Sequence, residues 1–172
     1  MFVGLISDTH GVFDTPLMDF LQPVDEIWHA GDFGSLETAQ KIAAFKPLKG
    51  VYGNCDNYDT RLEYPLYQLF DCSGMRVLMT HIGGYPGRYD PRARALIDEY
   101  RPDIFVCGHS HILKVMPDSR RNMMVINPGA AGKFGFHTLR TALRFHIDNG
   151  EVHDMEVYEL EKQRADAGLN DF

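Results

Sequence analysis

An α/β fold is predicted by the order in which patterns follow one another along the 172-residue chain. Apolar, β-branched runs recur about every 22 to 28 residues in the first two thirds, helical patterns fill several of the gaps, and after residue 111 the gaps shrink to turns. The runs at 2–6, 26–29, 48–52, 76–79 and 103–107 read as buried strands. Helical patterns lie at 16–21, at 36–45 behind Ser35 as N-cap, and at 91–100, where Asp90 precedes Pro91 at the first helical position. Alternation of this kind favours right-handed crossovers and a largely parallel sheet. The later runs at 113–116, 123–126, 139–147 and 152–160 are separated by Pro117-Asp118, Asn127-Pro128-Gly129 and Asp148-Asn149-Gly150, so a second, mainly antiparallel sheet is expected there. Residues 1–160 read as one domain, and 161–172 as a polar tail that forms a short helix or frays.

Composition narrows the function. Seventeen Lys and Arg against 24 Asp and Glu leave a net charge of −7, which repels long nucleic acids and anionic membranes. The apolar runs fall far short of the ~20 residues that cross a bilayer, and no basic segment precedes the first of them, so a cytoplasmic protein is expected. Cys55, Cys72 and Cys107 are odd in number and lack CxxC spacing, which predicts reduced thiols. The sequence leaves self-association open.

Each of the five early strands is followed by a side chain able to bind metal. Asp8 and His10 follow the first, Asp32 the second, Asn54 the third, His81 the fourth, and His109 with His111 the fifth. Strand ends in open sheets are where ligands collect. Residues two apart in an extended segment point the same way, so Asp8 with His10, and His109 with His111, are each expected to reach one site from a single strand extension. Gly31, Gly53 and Gly108 each precede one of these residues, where a missing Cβ permits a sharp turn or close approach. Taken singly, a His is an ordinary structural residue and a strand-end Asp a helix cap. Seven such ligands packed together would be costly without metal. They overfill one tetrahedral zinc but suit two divalent ions if a carboxylate, most naturally Asp32, bridges them.

The ordered set Asp8-x-His10, Gly31-Asp32, Gly53-Asn54-x-Asp56, His81 and Gly108-His109-x-His111 resembles the calcineurin-like metallophosphoesterases, in particular their small bacterial and archaeal phosphodiesterase branch. Ile126-Asn127-Pro128-Gly129 is similar to a later strand and turn of that branch. The resemblance implies a four-layer α/β/β/α sandwich of two mixed β-sheets flanked by helices. It assigns Asp8, His10, Asp32 and His111 to one metal, and Asp32, Asn54, His81 and His109 to the other. The implied reaction is hydrolysis of small phosphodiesters by a metal-bridging hydroxide, with Asp32, Asn54 and His109 as the catalytic set. The ligand types suit Mn²⁺, the preferred ion, as well as Ni²⁺, Fe²⁺ or Zn²⁺. A small phosphate ester is the expected partner. The alternative is a non-catalytic, metal-binding interaction scaffold on the same fold, similar to a retromer subunit.

Two positions depart from the wider family. Cys55 stands where many members carry a His that assists the departing group, although the small branch is similar in having Cys; its preferred reading here is a small side chain filling a gap beside Asn54. Ile82 stands where Gly often follows the His81 position. Asp56 and His29 are candidates for orienting the ligands. Arg88 is the first candidate for a phosphate contact, whereas Arg92 and Arg94 read as a solvated helix face, and His137, His146 and His153 as structural. The Gly129–Lys133 stretch has two residues between its glycines where a nucleotide phosphate loop needs four, and is rejected as one.

Overall fold

A computed structural model describes residues 1–162 of the chain. The chain runs β1 (Phe2–Ile6), α1 (Thr15–Leu21), β2 (Glu26–His29), α2 (Leu36–Phe45), β3 (Leu48–Gly50), α3 (Tyr58–Glu63), β4 (Tyr67–Cys72) and β5 (Met75–Thr80). A small hairpin of β6 (Gly84–Tyr85) and β7 (Arg88–Tyr89) precedes α4 (Pro91–Tyr100) and β8 (Ile104–Val106). The remaining strands are β9 (Leu113–Asp118), β10 (Met123–Pro128), β11 (Leu139–Asp148) and β12 (Glu151–Glu161). The expectation for the tail beyond Lys162 lies outside the described residues.

Two five-stranded mixed sheets, ordered β12-β11-β1-β2-β3 and β4-β5-β8-β10-β9, face each other. Side-chain alternation makes the layers. Val3 and Leu5 of β1 join Trp28, Val77, Val106 and Phe145 between the sheets, while Ile6 turns outward to pack with Leu17, Leu21 and Ile42 of α1 and α2. On the far side, Ala93 and Ile97 of α4 cover Leu78 and Phe105. The four-layer α/β/β/α arrangement follows. Ser35 caps α2 by accepting from Thr38 N–H at 3.1 Å, and Asp90 Oδ1 caps α4 by accepting from Arg92 and Ala93 N–H at 2.9 and 3.2 Å.

The division of strands between sheets differs from the expected one. The early strands do not form a single sheet: β1, β2 and β3 run parallel in one, and β5 pairs in parallel with β8 in the other. Nor do the late strands form a sheet of their own. β11 pairs antiparallel with β1 and carries β12 outside it, whereas β10 lies parallel to β8 and carries β9. The cause is the 51–75 segment, which holds two elements that the sequence pattern does not announce. Asn57 Oδ1 caps α3 by accepting from Thr60 N–H, and β4 returns on β5 through Ser73-Gly74, both at positive φ, the signature of a two-residue hairpin. That hairpin starts the second sheet, so each sheet keeps a parallel centre whose free edge a later strand covers.

Candidate metal centre

The seven candidate residues lie in loops at one end of both sheets, five of them in backbone conformations that L side chains rarely adopt. Asp8, His10, Asp32, His109 and His111 have φ of 53°, 45°, 57°, 68° and 56°. Such residues cost on the order of 1–3 kcal/mol each and persist only where their surroundings fix them. Loop-to-loop hydrogen bonds do so here: Asp8 N–H donates to Gly31 O at 2.9 Å, His10 N–H to Asp32 O at 3.1 Å, and Gly108 N–H to His81 O at 2.9 Å. The expected extended pincers are therefore corrected. Asp8 and His10 reach one cluster through left-handed turns, and His109 and His111 part, His111 toward Asp8 and the His109 ring against that of His81, with centroids 5.2 Å apart. The glycines serve the close approach of side chains. A Cβ at Gly53 would overlap Asp32 Oδ1, and one at Gly108 would overlap Ser7 Oγ.

Three overlapping groups have ligand atoms within 4.8 Å of one another: Asp8, His10 and His111; Asp8, Asp32 and His81; and His10, Asp32 and Cys55. Asp8 Oδ1 lies 3.1 Å from His111 Nε2 and 4.0 Å from His81 Nε2. Asp32 Oδ2 lies 3.3 Å from His81 Nε2 and 3.9 Å from His10 Nε2, and Asn54 Oδ1 is 3.1 Å from His81 Nε2. Among the described residues, the His109 ring belongs to none of the three groups.

Hydrogen bonds on the far side of two rings decide what faces inward. His81 Nδ1–H donates to Ala30 O at 2.7 Å, so in the neutral ring Nε2 carries the lone pair. His137 reaches Gly132 O through Nε2 at 3.2 Å, so its Nδ1 is an acceptor, and the His111 Nδ1 at 3.2 Å from it must carry the proton. The neutral His111 ring then turns the Nε2 lone pair to Asp8 Oδ1, a buried oxygen with no hydrogen bond of its own. Asp8 Oδ2 is satisfied by Ser7 Oγ at 2.6 Å and His109 N–H at 3.0 Å. Acceptors thus face acceptors, which only cations or added protons can reconcile. The same demand for positive charge moves the titrations. Burial would raise Asp8 and Asp32 and lower His81, yet the His111 and His81 contacts hold both carboxyls below their ordinary values, and Asp32 with Asp8 raises His81. The donor set and the orphaned oxygen fit divalent metal ions.

The supporting residues act on the backbone. Asp56 accepts from the N–H groups of Asp32, Gly34 and Gly53 at 3.0, 3.0 and 2.8 Å, tying two ligand loops together, while the cap of α3 is Asn57. His29 is fully buried, stacks on Phe33, accepts from Gly31 N–H at 3.1 Å, and so donates through Nε2 to Thr9 Oγ1 at 2.8 Å; burial pushes it down to about 3. Asn127 donates to Gly108 O at 2.8 Å, and the rejected phosphate loop spends its amides on the loop after β1, Ala131 N–H on Ser7 O and Gly132 N–H on Asp8 O. Cys55 departs from the gap-filling reading. It is exposed, its N–H donates to Asp32 Oδ1 at 2.8 Å, and its thiol belongs to a potential ligand group with His10 and Asp32. Burial and the charge of Asp32 raise that thiol. His137, read from sequence as structural, orients His111; its partner is 26 residues away, and no spacing rule links them. Arg61, on the unforeseen α3, donates to Asn54 O and Asp56 O. Arg92 lines a cleft with Asn54 and His81, whereas Arg88 lines one with His109.

Residues 1–150 match the family model described as the calcineurin-like phosphoesterase superfamily domain. A protein of Methanothermobacter thermautotrophicus named "Probable metallophosphoesterase" is 30% identical over 137 residues, covering 76% of this chain and 77% of its own. Among solved structures, Chaetomium thermophilum Vps29 superposes with a TM-score of 0.75 at 18% identity, over 95% of this chain and 90% of its own. A structure described as a novel archaeal phosphodiesterase gives 0.72 at 20% identity, over 93% of this chain and all of its own. At these identities the two superpositions establish the shared fold.

Proposed function

Because the chain belongs to the calcineurin-like phosphoesterase superfamily, we propose that it is a dinuclear-metal phosphoesterase acting on small phosphodiesters. The observation that carries this reading is the meeting of His81 and His111 Nε2, on rings whose Nδ1 atoms are hydrogen-bonded on the far side, with carboxylate and amide oxygens at 3.1 to 3.3 Å. In this reading Asp8, His10, Asp32 and His111 would hold one ion, and Asp32, Asn54, His81 and His109 the other, with Asp32 shared between them. Bound divalent ions, Mn²⁺ preferred and Ni²⁺, Fe²⁺ or Zn²⁺ acceptable, would supply an acidified water and charge stabilisation for the phosphoryl oxygens. Asp32, Asn54 and His109 form the catalytic set.

The chain's own groups set the rest. Ala30 O and His137 keep the His81 and His111 Nε2 atoms free to ligate. Asp56 fixes the Asp32 and Asn54 loops by three amide hydrogen bonds. Cys55, with its thiol raised, is a weak proton donor to a departing oxygen, so the rate depends steeply on leaving-group acidity. With Mn²⁺ added, bis(4-nitrophenyl) phosphate should turn over faster than 4-nitrophenyl phosphate, and both should stop on chelation. Metal-replete protein that hydrolyses neither would overturn the reading. One observation favours the alternative of an interaction scaffold: Phe134 and Phe136 are exposed, with the Phe134 ring 5.9 Å from that of His10. The same assay separates the two, since a scaffold binds metal without turnover.

A further inference from the structure

Two clefts adjoin the candidate metal centre, and both are bordered by Ile82 and Asp90. One, of about 310 Å³, includes Asn54 and His81 and is lined by the apolar surfaces of Tyr52, Leu66, Ile82 and Leu96. The other, of about 330 Å³, includes His109 and runs along the β6–β7 hairpin past Arg88 and Lys114. A phosphomonoester has one organic substituent and would fill one cleft. A phosphodiester has two.

The first cleft carries a further signal in its cations. Arg61 is held in place, Nε donating to Asp56 O at 2.9 Å and Nη2 to Asn54 O at 3.0 Å, with its guanidinium 5.1 Å over the Tyr52 ring. Arg92 sits in the first turn of α4, across the same cleft lining. Among the described residues, neither guanidinium has a carboxylate within ion-pair distance, whereas Arg94 and Arg121 both pair with Asp98, at 3.6 and 2.9 Å. The acidic group in the lining, Asp90, is committed through Oδ1 to the first amides of α4. In a chain of net charge −7, two unneutralised guanidiniums beside an apolar wall select for an anion with an apolar body.

Building on the phosphoesterase reading, we infer that the Arg61–Arg92 cleft is a subsite for an ester substituent that combines an aromatic or apolar body with its own negative charge. The His109-side cleft takes the second substituent. The substrate class is then a phosphodiester bearing an additional anionic group. Ile82 contributes apolar surface to both subsites.

Binding tests this apart from turnover. Isothermal titration of Mn²⁺-saturated protein compares diphenyl phosphate with 4-carboxyphenyl phenyl phosphate, two esters with poor leaving groups. The carboxylated ester should bind about two- to fivefold more tightly, as one partly exposed Arg–carboxylate contact allows. Arg92→Gln, at an exposed position, should bring the ratio close to one, while Arg94→Gln, outside the cleft, should keep it. Equal affinity of the two esters for the wild-type protein, or a preference that survives Arg92→Gln, overturns the inference whatever the hydrolysis assay shows. Selective binding without turnover of activated diesters would sink only the phosphoesterase reading.

Discussion

The space between the sheets and the innermost residues of the loops that continue those same strands are both buried and opposite in kind. Leu5, Trp28 and Val106 are fully buried, apolar and in regular strand conformation. A few residues further along, Asp8, Asp32 and His81 are just as buried, yet they are polar, two of them have left-handed backbone, and Asp8 Oδ1 accepts no hydrogen bond. The first region follows from burying apolar area, which favours folding at roughly 25 cal/mol per Å². The second works against folding until charge is supplied from outside. Stability and function therefore occupy adjacent stretches of the same strands, and substitutions should sort accordingly.

The largest effect belongs to the inter-sheet core. Trp28 is edge-on to Phe70 and Phe145 at 5.0 and 6.0 Å, and its Nε1–H donates to Glu26 at 2.8 Å. Trp28→Ala should cost about 3–5 kcal/mol in urea unfolding. The fraction that stays folded should bind metal normally, and a selective loss of metal would blur the distinction between the regions.

His29 sits where they meet, and its effect is pH-dependent. Its folded pKa of about 3 lies below the ordinary 6.5, so between these values the unfolded chain takes up a proton that the folded chain refuses. The stability from the neutral ring is complete above about pH 6.5 and is lost as pH falls toward 3, with a slope of up to about 1.4 kcal/mol per pH unit. In chelator-treated protein, His29→Gln should flatten the acid limb of a stability-against-pH curve by close to one proton. An unchanged slope would mean the ring is not held neutral.

This sorting also explains what could be read from sequence. The strands at 2–6 and 26–29 and the helices at 36–45 and 91–100 coincide with the observed elements because apolar period, Ser35 and Asp90-Pro91 are local signals. The assignment of strands to sheets was not legible. It depends on β4 returning through Ser73-Gly74, and the sequence Tyr67–Cys72 presents no long apolar run. The placement of all seven candidate residues at strand ends, at one end of both sheets, was legible, but the left-handed conformations of five of them were not, since they depend on hydrogen bonds between loops. His137 and Arg61 escaped because each acts through a contact that exists only in three dimensions.

A smaller change should separate orientation from ligation. Substituting His137 with Ala frees the His111 ring to rotate or change tautomer, and should weaken Mn²⁺ binding about 10- to 100-fold with little change in apo stability. His137→Asn, whose side chain retains an acceptor, should recover part of the affinity. Equal affinity of wild type and His137→Ala would remove the orienting role. The smallest expected effect is the most informative about the loops. Asp8→Asn keeps an oxygen for Ser7 and the His109 amide and turns an NH₂ toward the His111 lone pair, so the apo protein should gain about 1 kcal/mol while metal binding fails. Apo protein destabilised by this change would show that the acidic cluster does not oppose folding.

The central claim, that the acceptor-lined loops are built for two divalent ions, is tested most directly by counting them. Chelator-stripped protein titrated with Mn²⁺ and freed of excess should hold close to two equivalents per chain, and Asp32→Ala should lose more than one of them, since Asp32 has ligand atoms in two of the three groups. Saturation at one equivalent, or an Asp32→Ala protein that loses one ion or none, would contradict the account.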